Sequence, residues 1–136
     1  MEASRPIKPD RMPLVHTKRT VILGFWAVLL CCVIIGSLLP ASSSFLAAAG
    51  RLHISDKVQH FSAYLVLSFL PIIGFRDRGA GILAGLSMFV LGALLEAGQH
   101  FSPGRSVEFG DVLANCAGVG CGVLLAPPIR ALIAPR

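Results

Sequence analysis

Charged and polar side chains gather at three points of an otherwise apolar sequence. Each group contains a pair of residues four positions apart, and this spacing places both members on one face of a helix. The pairs are Asp56 and His60, Glu96 and His100, and Asp111 and Asn115. Ionisable groups at membrane depth cost free energy, so they are functional candidates by default. We therefore predict one polar site built from three helices, with the residues Asp56, Lys57, His60, Glu96, Gln99, Arg105, Asp111 and Asn115.

Recognition of an anion is the first chemistry that this set could perform. Lys57, His60 and Arg105 are cationic or protonatable donors, and a phosphate or carboxylate would receive charge-assisted hydrogen bonds from them. The neighbouring carboxylates and the Asn115 amide would orient these donors or bind a polar part of the same ligand. A lipid headgroup at the membrane surface is the kind of ligand that we expect.

An enzyme is the second possibility. His60, Glu96, His100 and Asp111 are adequate ligands for Zn²⁺ or another divalent ion, which could activate water. Without a metal, His60 beside Asp56 or Glu96 could act as a general base. The sequence has no His-Glu-x-x-His motif. We therefore predict no cofactor and keep a divalent metal as an open alternative.

A purely structural role is the third possibility. Helix ends that meet lipid headgroups are usually polar, and the carboxylates of Asp56 and Asp111 suit helix N-termini. The Lys57 side chain could extend to the membrane surface without any ligand. The polar set would then be a latch between helix ends, in an accessory subunit of a larger complex.

The sequence around the polar groups is that of an integral membrane protein. Hydrophobic residues make up 54% and charged residues 14% of the chain, which excludes an ordinary soluble domain and a disordered chain. Apolar runs at residues 21–39, 61–75, 79–98 and 111–126 predict an all-α bundle of four transmembrane helices. We expect the second helix to begin near Asp56, and Pro127 with Pro128 to disturb or end the fourth. The net charge of +5 does not indicate nucleic acid, because the basic residues lie between the apolar runs.

The distribution of basic residues predicts the orientation of the bundle. Residues 1–20 are basic and contain three prolines, which indicates a cytoplasmic tail without regular helix before a membrane domain at 21–133. Nine Lys and Arg residues then lie on the cytoplasmic side and three outside. Both termini are predicted to be cytoplasmic, and the polar site faces outward. A cleaved signal peptide is disfavoured, because the first apolar run is longer than such peptides usually have.

Small residues recur on two of the predicted helices. Such patterns allow two helix backbones to approach closely, within the chain, in a helix-mediated oligomer or with an envelope protein. The residues concerned are Gly110, Ala114, Gly118 and Gly122 on the fourth helix, with Gly81 and Gly85 on the third.

Two stretches carry a resemblance to a known family. They are DKVQHFSAYLVLSFL at 56–70 and LEAGQHFSPGRSVEFGDVLANCAGVGCG at 95–122. An Asp-Lys pair before a His, a Glu and Gln before a Pro-Gly-Arg turn, and an Asp and Asn four apart resemble the VanZ-like family of small bacterial membrane proteins. The matching positions are Asp56, Lys57, His60, Glu96, Gln99, Pro103, Gly104, Arg105, Asp111, Asn115 and Gly118.

The resemblance covers roughly residues 20–126 and implies a multi-pass protein of the bacterial cytoplasmic, or inner, membrane with a link to the cell envelope. The family's namesake is associated with resistance to the glycopeptide teicoplanin, but the family carries no accepted biochemical activity. Under this resemblance, the expected ligand is an anionic envelope lipid or a lipid-linked cell-wall precursor, and a link to glycopeptide tolerance is a further expectation.

Overall fold

In a computed structural model, the structure describes residues 12–40, 42–44, 54–104 and 108–133. Within these ranges the chain forms four α-helices and no β-strand: α1 (Met12–Leu38), α2 (Asp56–Gly74), α3 (Arg78–Gln99) and α4 (Phe109–Ile133). The all-α prediction is confirmed. Three helical segments are long and apolar enough to cross a membrane, namely Thr17–Leu38, Arg78–Gln99 and Phe109–Ile133.

Two helix boundaries differ from the predicted ones, and proline is involved in both. Helix α1 begins at Met12, so the expectation of an irregular tail is wrong for residues 12–20. Pro13 lies in the first turn, where its missing N–H would have had no helical partner. Helix α4 continues through Pro127 and Pro128 to Ile133, so the expected end of the helix is wrong.

Arg130 explains how α4 continues beyond its two prolines. Its guanidinium donates to the carbonyl oxygens of Ile72 at 2.5 Å and Arg76 at 2.8 Å, at the C-terminal end of α2. A cation there meets carbonyl groups that have no partner within their own helix, and it complements the helix dipole. The contact therefore stabilises the last turns of α4 and the end of α2 together.

Helix α2 lies at the centre of the bundle and packs against the other three helices, most extensively against α4. Its side chains Tyr64 and Leu67 are buried with Met88 of α3 and Val119 of α4 in one apolar cluster. Large apolar side chains on the outside of the bundle, such as Leu83, remain exposed. Such an apolar outer surface suits contact with lipid.

Glycines permit the close approach of α4 to α2. A Cβ atom at Gly118 would collide with the carbonyl oxygen of Phe61, and one at Gly122 would collide with Ser68 and with the backbone of α2. Ser68 itself is buried and donates to the Tyr64 carbonyl oxygen at 2.8 Å. The predicted close contacts of Gly118 and Gly122 are thus made within the chain.

Helix α3 approaches α2 in the same manner. A Cβ atom at Gly81 would lie 2.9 Å from the Pro71 carbonyl oxygen, and one at Gly85 would lie 2.8 Å from that of Ser68. These predicted contacts are also made inside the bundle, so the small residues of α3 are not available to a second chain.

Trp26 of α1 completes the hydrogen bonding of α2 at a proline. Pro71 has no N–H, so the Leu67 carbonyl loses the partner that a regular helix would provide. The Trp26 indole Nε1–H donates to this oxygen at 2.8 Å, and the indole ring packs edge-on against Phe75. Where no water reaches, an unpaired carbonyl costs several kcal/mol by order of magnitude. Trp26 thus joins α1 to α2 through a specific polar contact.

Candidate functional site

Three helix ends meet at one end of the bundle: the first turn of α2, the last turn of α3 and the first turns of α4. Ser55 begins α2 by accepting a hydrogen bond from the Val58 N–H at 3.4 Å. At the same end, Ser102 donates to the Leu38 carbonyl oxygen at 3.0 Å and joins the segment after α3 to the end of α1. We call the following side chains at this end the polar site: Asp56, Lys57, His60, Glu96, Glu108, Asp111 and Asn115.

A buried hydrogen-bond network joins all three helices of the polar site. His60 of α2 lies 3.0 Å from Asn115 of α4, measured from Nδ1 to Oδ1. The Asn115 Nδ2 group donates to Oε1 of Glu96 on α3 at 3.3 Å. Glu96 is only 3% exposed and Asn115 only 4%. Residues that are far apart in the sequence are thus brought into one network.

This network determines which His60 nitrogen carries the proton in the neutral ring. Asn115 directs its Nδ2 donor to the Glu96 carboxylate, so its Oδ1 faces His60, and this oxygen can only accept. His60 Nδ1–H is therefore the donor to Asn115. The lone pair of the neutral ring then resides on Nε2, which lies 3.8 Å from Oδ2 of Asp56.

The buried Glu96 carboxylate is only partly paired. Its Oε1 accepts from Asn115 and lies 3.8 Å from His60 Nδ1. Its Oε2 is buried and has no hydrogen-bond partner among the residues that the structure describes. A buried carboxylate oxygen without a partner is unusual, and it often marks a place where an ion, a water molecule or a ligand group belongs.

Lys57 forms a second, more exposed part of the polar site. Its ammonium group donates to Glu108 Oε2 at 2.9 Å and to Asp111 Oδ1 at 3.3 Å. The hydrogen bond from Lys57 lowers the pKa of Glu108. The Lys57 side chain is 54% exposed, whereas that of Asp111 is buried. Lys57 therefore joins the first turn of α2 to the start of α4.

Glu108 is a member of the polar site that the sequence analysis missed. It stands three residues before Asp111, directly ahead of the first residue of α4. The signal in the sequence was a second carboxylate just before the same helix. In the structure both Glu108 and Asp111 contact Lys57.

The remaining predicted site residues have different positions. Gln99 is buried in the last turn of α3, one turn beyond Glu96. Arg105, the third predicted donor for an anion, lies outside the described residues. His100 is the C-cap residue of α3. It is exposed and its ring contacts Phe101, whereas Glu96, four residues earlier, is buried.

Three side chains of the polar site have the types and spacing of a metal centre. One ligand atom each from Asp56, His60 and Asp111 lie within 4.8 Å of one another. This group contains two of the four predicted metal ligands, His60 and Asp111, together with Asp56. Glu96 lies behind His60, on the Nδ1 side of the ring.

Comparison with known proteins gives one match. No curated protein and no solved structure matches the chain. The sequence profile of the VanZ/LLP1 family matches residues 13–132. This range covers the four helices except for one residue at each end, and it contains the whole polar site. The match confirms the resemblance seen in the sequence. This chain, with its apolar helices and its polar site at one end, belongs to the VanZ/LLP1 family.

Proposed function

We propose that the protein is a four-span protein of the bacterial inner membrane whose polar site binds the anionic headgroup of an envelope lipid or of a lipid-linked cell-wall precursor. In this proposal α2 is the fourth span, both termini are cytoplasmic and the polar site faces outward. A contribution to tolerance of teicoplanin-type glycopeptides belongs to the proposal, because the family's namesake is associated with that resistance.

The observation that carries the proposal is the position of Lys57. Its ammonium group has three N–H donors, two of which are directed to Glu108 and Asp111, and about half of the side chain is exposed. The first turns of α2 and α4 lie beside it, and helix N-termini favour negative charge. A phosphate that entered from the membrane surface would thus meet a cationic donor held in place.

The opposite end of the bundle supports the orientation. Arg76 lies between α2 and α3, Arg78 is the first residue of α3, and Arg130 lies near the end of α4. Short loops rich in Lys and Arg favour the cytoplasmic side. The N-terminal part of α1, which contains Lys18 and Arg19, lies at the same end of the bundle. The distribution of basic residues therefore agrees with a polar site on the outer side.

Native mass spectrometry of the detergent-solubilised protein tests the proposal. We expect wild type to retain phosphatidylglycerol in preference to phosphatidylcholine. We also expect Lys57→Gln to weaken that retention about tenfold, because a hydrogen bond to a charged group contributes about 1.5–3 kcal/mol. Lys18→Gln, at the opposite end of the bundle, is the matched control. Equal retention by both variants, or no preference for the anionic lipid in wild type, would contradict the proposal.

A second candidate is an acid–base or metal-dependent enzyme that acts on envelope lipids. The arrangement of His60 favours it, since Nε2 carries the lone pair of the neutral ring and lies beside Asp56. Conversion of an added envelope lipid by wild type, and its loss in His60→Gln, would place this candidate first. The accessory-subunit reading has less support, because Gly81, Gly85, Gly118 and Gly122 contact α2 in the same chain.

A further inference from the structure

We propose that Asp56, His60 and Asp111 bind one divalent cation, with the His60 Nε2 atom and one oxygen of each carboxylate as ligands. The inference deepens the proposed function and rests on it for the role of the cation, which is to join the acidic polar site to an anionic headgroup. The existence of the cation site rests on the geometry alone.

The distances suit a first-row divalent ion. Such ions hold imidazole nitrogen and carboxylate oxygen at about 2.0–2.2 Å, which places neighbouring ligand atoms roughly 3–4 Å apart. His60 Nε2 and Asp56 Oδ2 are 3.8 Å apart, and the three ligand atoms all lie within 4.8 Å of one another. Small side-chain rotations would bring all three atoms to one ion, with open positions left for water or a ligand oxygen.

The surroundings of His60 prepare its Nε2 atom for a cation. Metal-binding histidines donate their other ring N–H to a carbonyl or carboxylate, which fixes the ring and its tautomer. Here Nδ1–H donates to Asn115, and Asn115 is held in turn by the buried Glu96. The arrangement is that of a ligand with its supporting residues already in place.

The charges of the polar site are unbalanced without a cation. Among the residues that the structure describes, the polar site holds four carboxylates, those of Asp56, Glu96, Glu108 and Asp111, and one ammonium group, that of Lys57. With all four ionised and His60 neutral, the charge of these described groups is −3. The buried Glu96 Oε2 has no partner among them, and a divalent ion on the other side of the His60 ring would offset its charge.

The proposed site leaves the contacts of Lys57 in place. Lys57 contacts Oδ1 of Asp111, and in the proposal the second oxygen of that carboxylate binds the ion. Half of the Lys57 side chain is exposed, so the ammonium group can turn towards Glu108 and the membrane surface. A bound cation and Lys57 would then both present positive charge to a phosphate, which the uncompensated carboxylates would otherwise repel.

Manganese binding in the absence of lipid tests the cation site. The full chain, in an uncharged maltoside detergent, is titrated with Mn²⁺, and free Mn²⁺ is followed by electron paramagnetic resonance. We expect one Mn²⁺ per chain, displaced by Zn²⁺. We expect Asp56→Asn to weaken binding at least tenfold, since even residues that only support a ligand contribute 10–100-fold. Asp77→Asn is the matched control, because Asp77 caps α3 at the other end and Asn caps equally well.

Failure to bind Mn²⁺ at millimolar concentration, or equal weakening by Asp56→Asn and Asp77→Asn, would overturn the inference. His60→Gln is a second variant, and a loss of binding counts only where gel filtration shows the same elution as wild type. The two proposals are tested by different measurements. A preference for anionic lipid without Mn²⁺ binding would contradict only the cation site. Mn²⁺ binding without a lipid preference would contradict only the proposed binding of an anionic headgroup.

Discussion

At the scale of single residues, Lys57 affects the protonation of Glu108. Its hydrogen bond favours the ionised form of Glu108, so the pKa of Glu108 lies below its usual value. A carboxylate whose pKa is lowered by folding stabilises the fold above its unfolded pKa. This contribution is lost as the pH falls through the lower, folded value. Both side chains are exposed, so the effect on stability is small and the pKa itself is the better observable.

We predict that Lys57→Gln raises the pKa of Glu108 back towards the ordinary glutamate value. Carbon-13 NMR of labelled glutamate carboxyl groups in detergent micelles would measure it over an acidic pH series. Glu108→Gln assigns the signal by removing it. An unchanged titration of Glu108 in Lys57→Gln would show that the ion pair does not form in the micelle.

Sequence spacing predicted residue pairs well where both residues lie inside one helix. Asp56 and His60 meet because α2 begins at Asp56, as expected. The Glu96–His100 pair differs, because Glu96 is buried and His100, the C-cap residue of α3, is exposed. The contacts from Asn115 to His60 and Glu96 join different helices, and no spacing rule within one helix could have given their distances.

At the scale of helices, the contact between Trp26 and Pro71 links α1 to the rest of the bundle. Trp26 donates to the Leu67 carbonyl that Pro71 leaves unpaired. The pair therefore behaves as one unit, although the two residues lie on different helices. A substitution at Trp26 therefore changes the effect on stability of a substitution at Pro71, and the reverse also holds.

We predict that Trp26→Phe destabilises wild type by about 1–3 kcal/mol beyond its packing cost, because the Leu67 carbonyl is left without a donor. In a Pro71→Ala background the new N–H can bond to Leu67, so this extra cost should disappear. Unfolding in mixed micelles titrated with sodium dodecyl sulfate gives the free energies for the double-mutant cycle. The same cost in both backgrounds would contradict this interpretation of the contact.

Apolar runs predicted the existence of the four helices, but local proline rules misplaced two of their ends. Helix α1 extends upstream through Pro13, which sits harmlessly in the first turn. Helix α4 extends past Pro127 because Arg130 is bound to the end of α2. The contact of Arg130 joins two helices, and the sequence of one helix alone does not predict such a contact.

At the scale of the whole molecule, the described Lys and Arg residues other than Lys57 lie at the opposite end of the bundle from the polar site. Arg78 opens α3 at one end, and Phe101 follows α3 at the other end, with both side chains exposed. This separation makes the orientation in the membrane measurable from two positions.

We predict that Phe101→Cys reacts with a membrane-impermeant maleimide in intact bacterial cells, and that Arg78→Cys reacts only after the membrane is permeabilised. The expected difference follows from the excess of Lys and Arg at the Arg78 end. The four native cysteines are first replaced by alanine, because three of them are exposed on the bundle. The reverse pattern of labelling would invert the orientation and place the polar site in the cytoplasm.

The central position of α2 has a consequence for biogenesis. Helix α2 is the least apolar of the four helices, yet it makes the most extensive contacts with the other three. In the proposed four-span topology, a translocon that sorts segments singly by hydrophobicity would hold such a helix weakly, and its stable insertion would depend on the arrival of its neighbours. Asp111 and Asn115 come from the last of these helices to leave the ribosome. The polar site therefore forms only after α4 has been made, and synthesis that stops before α4 yields a chain without it.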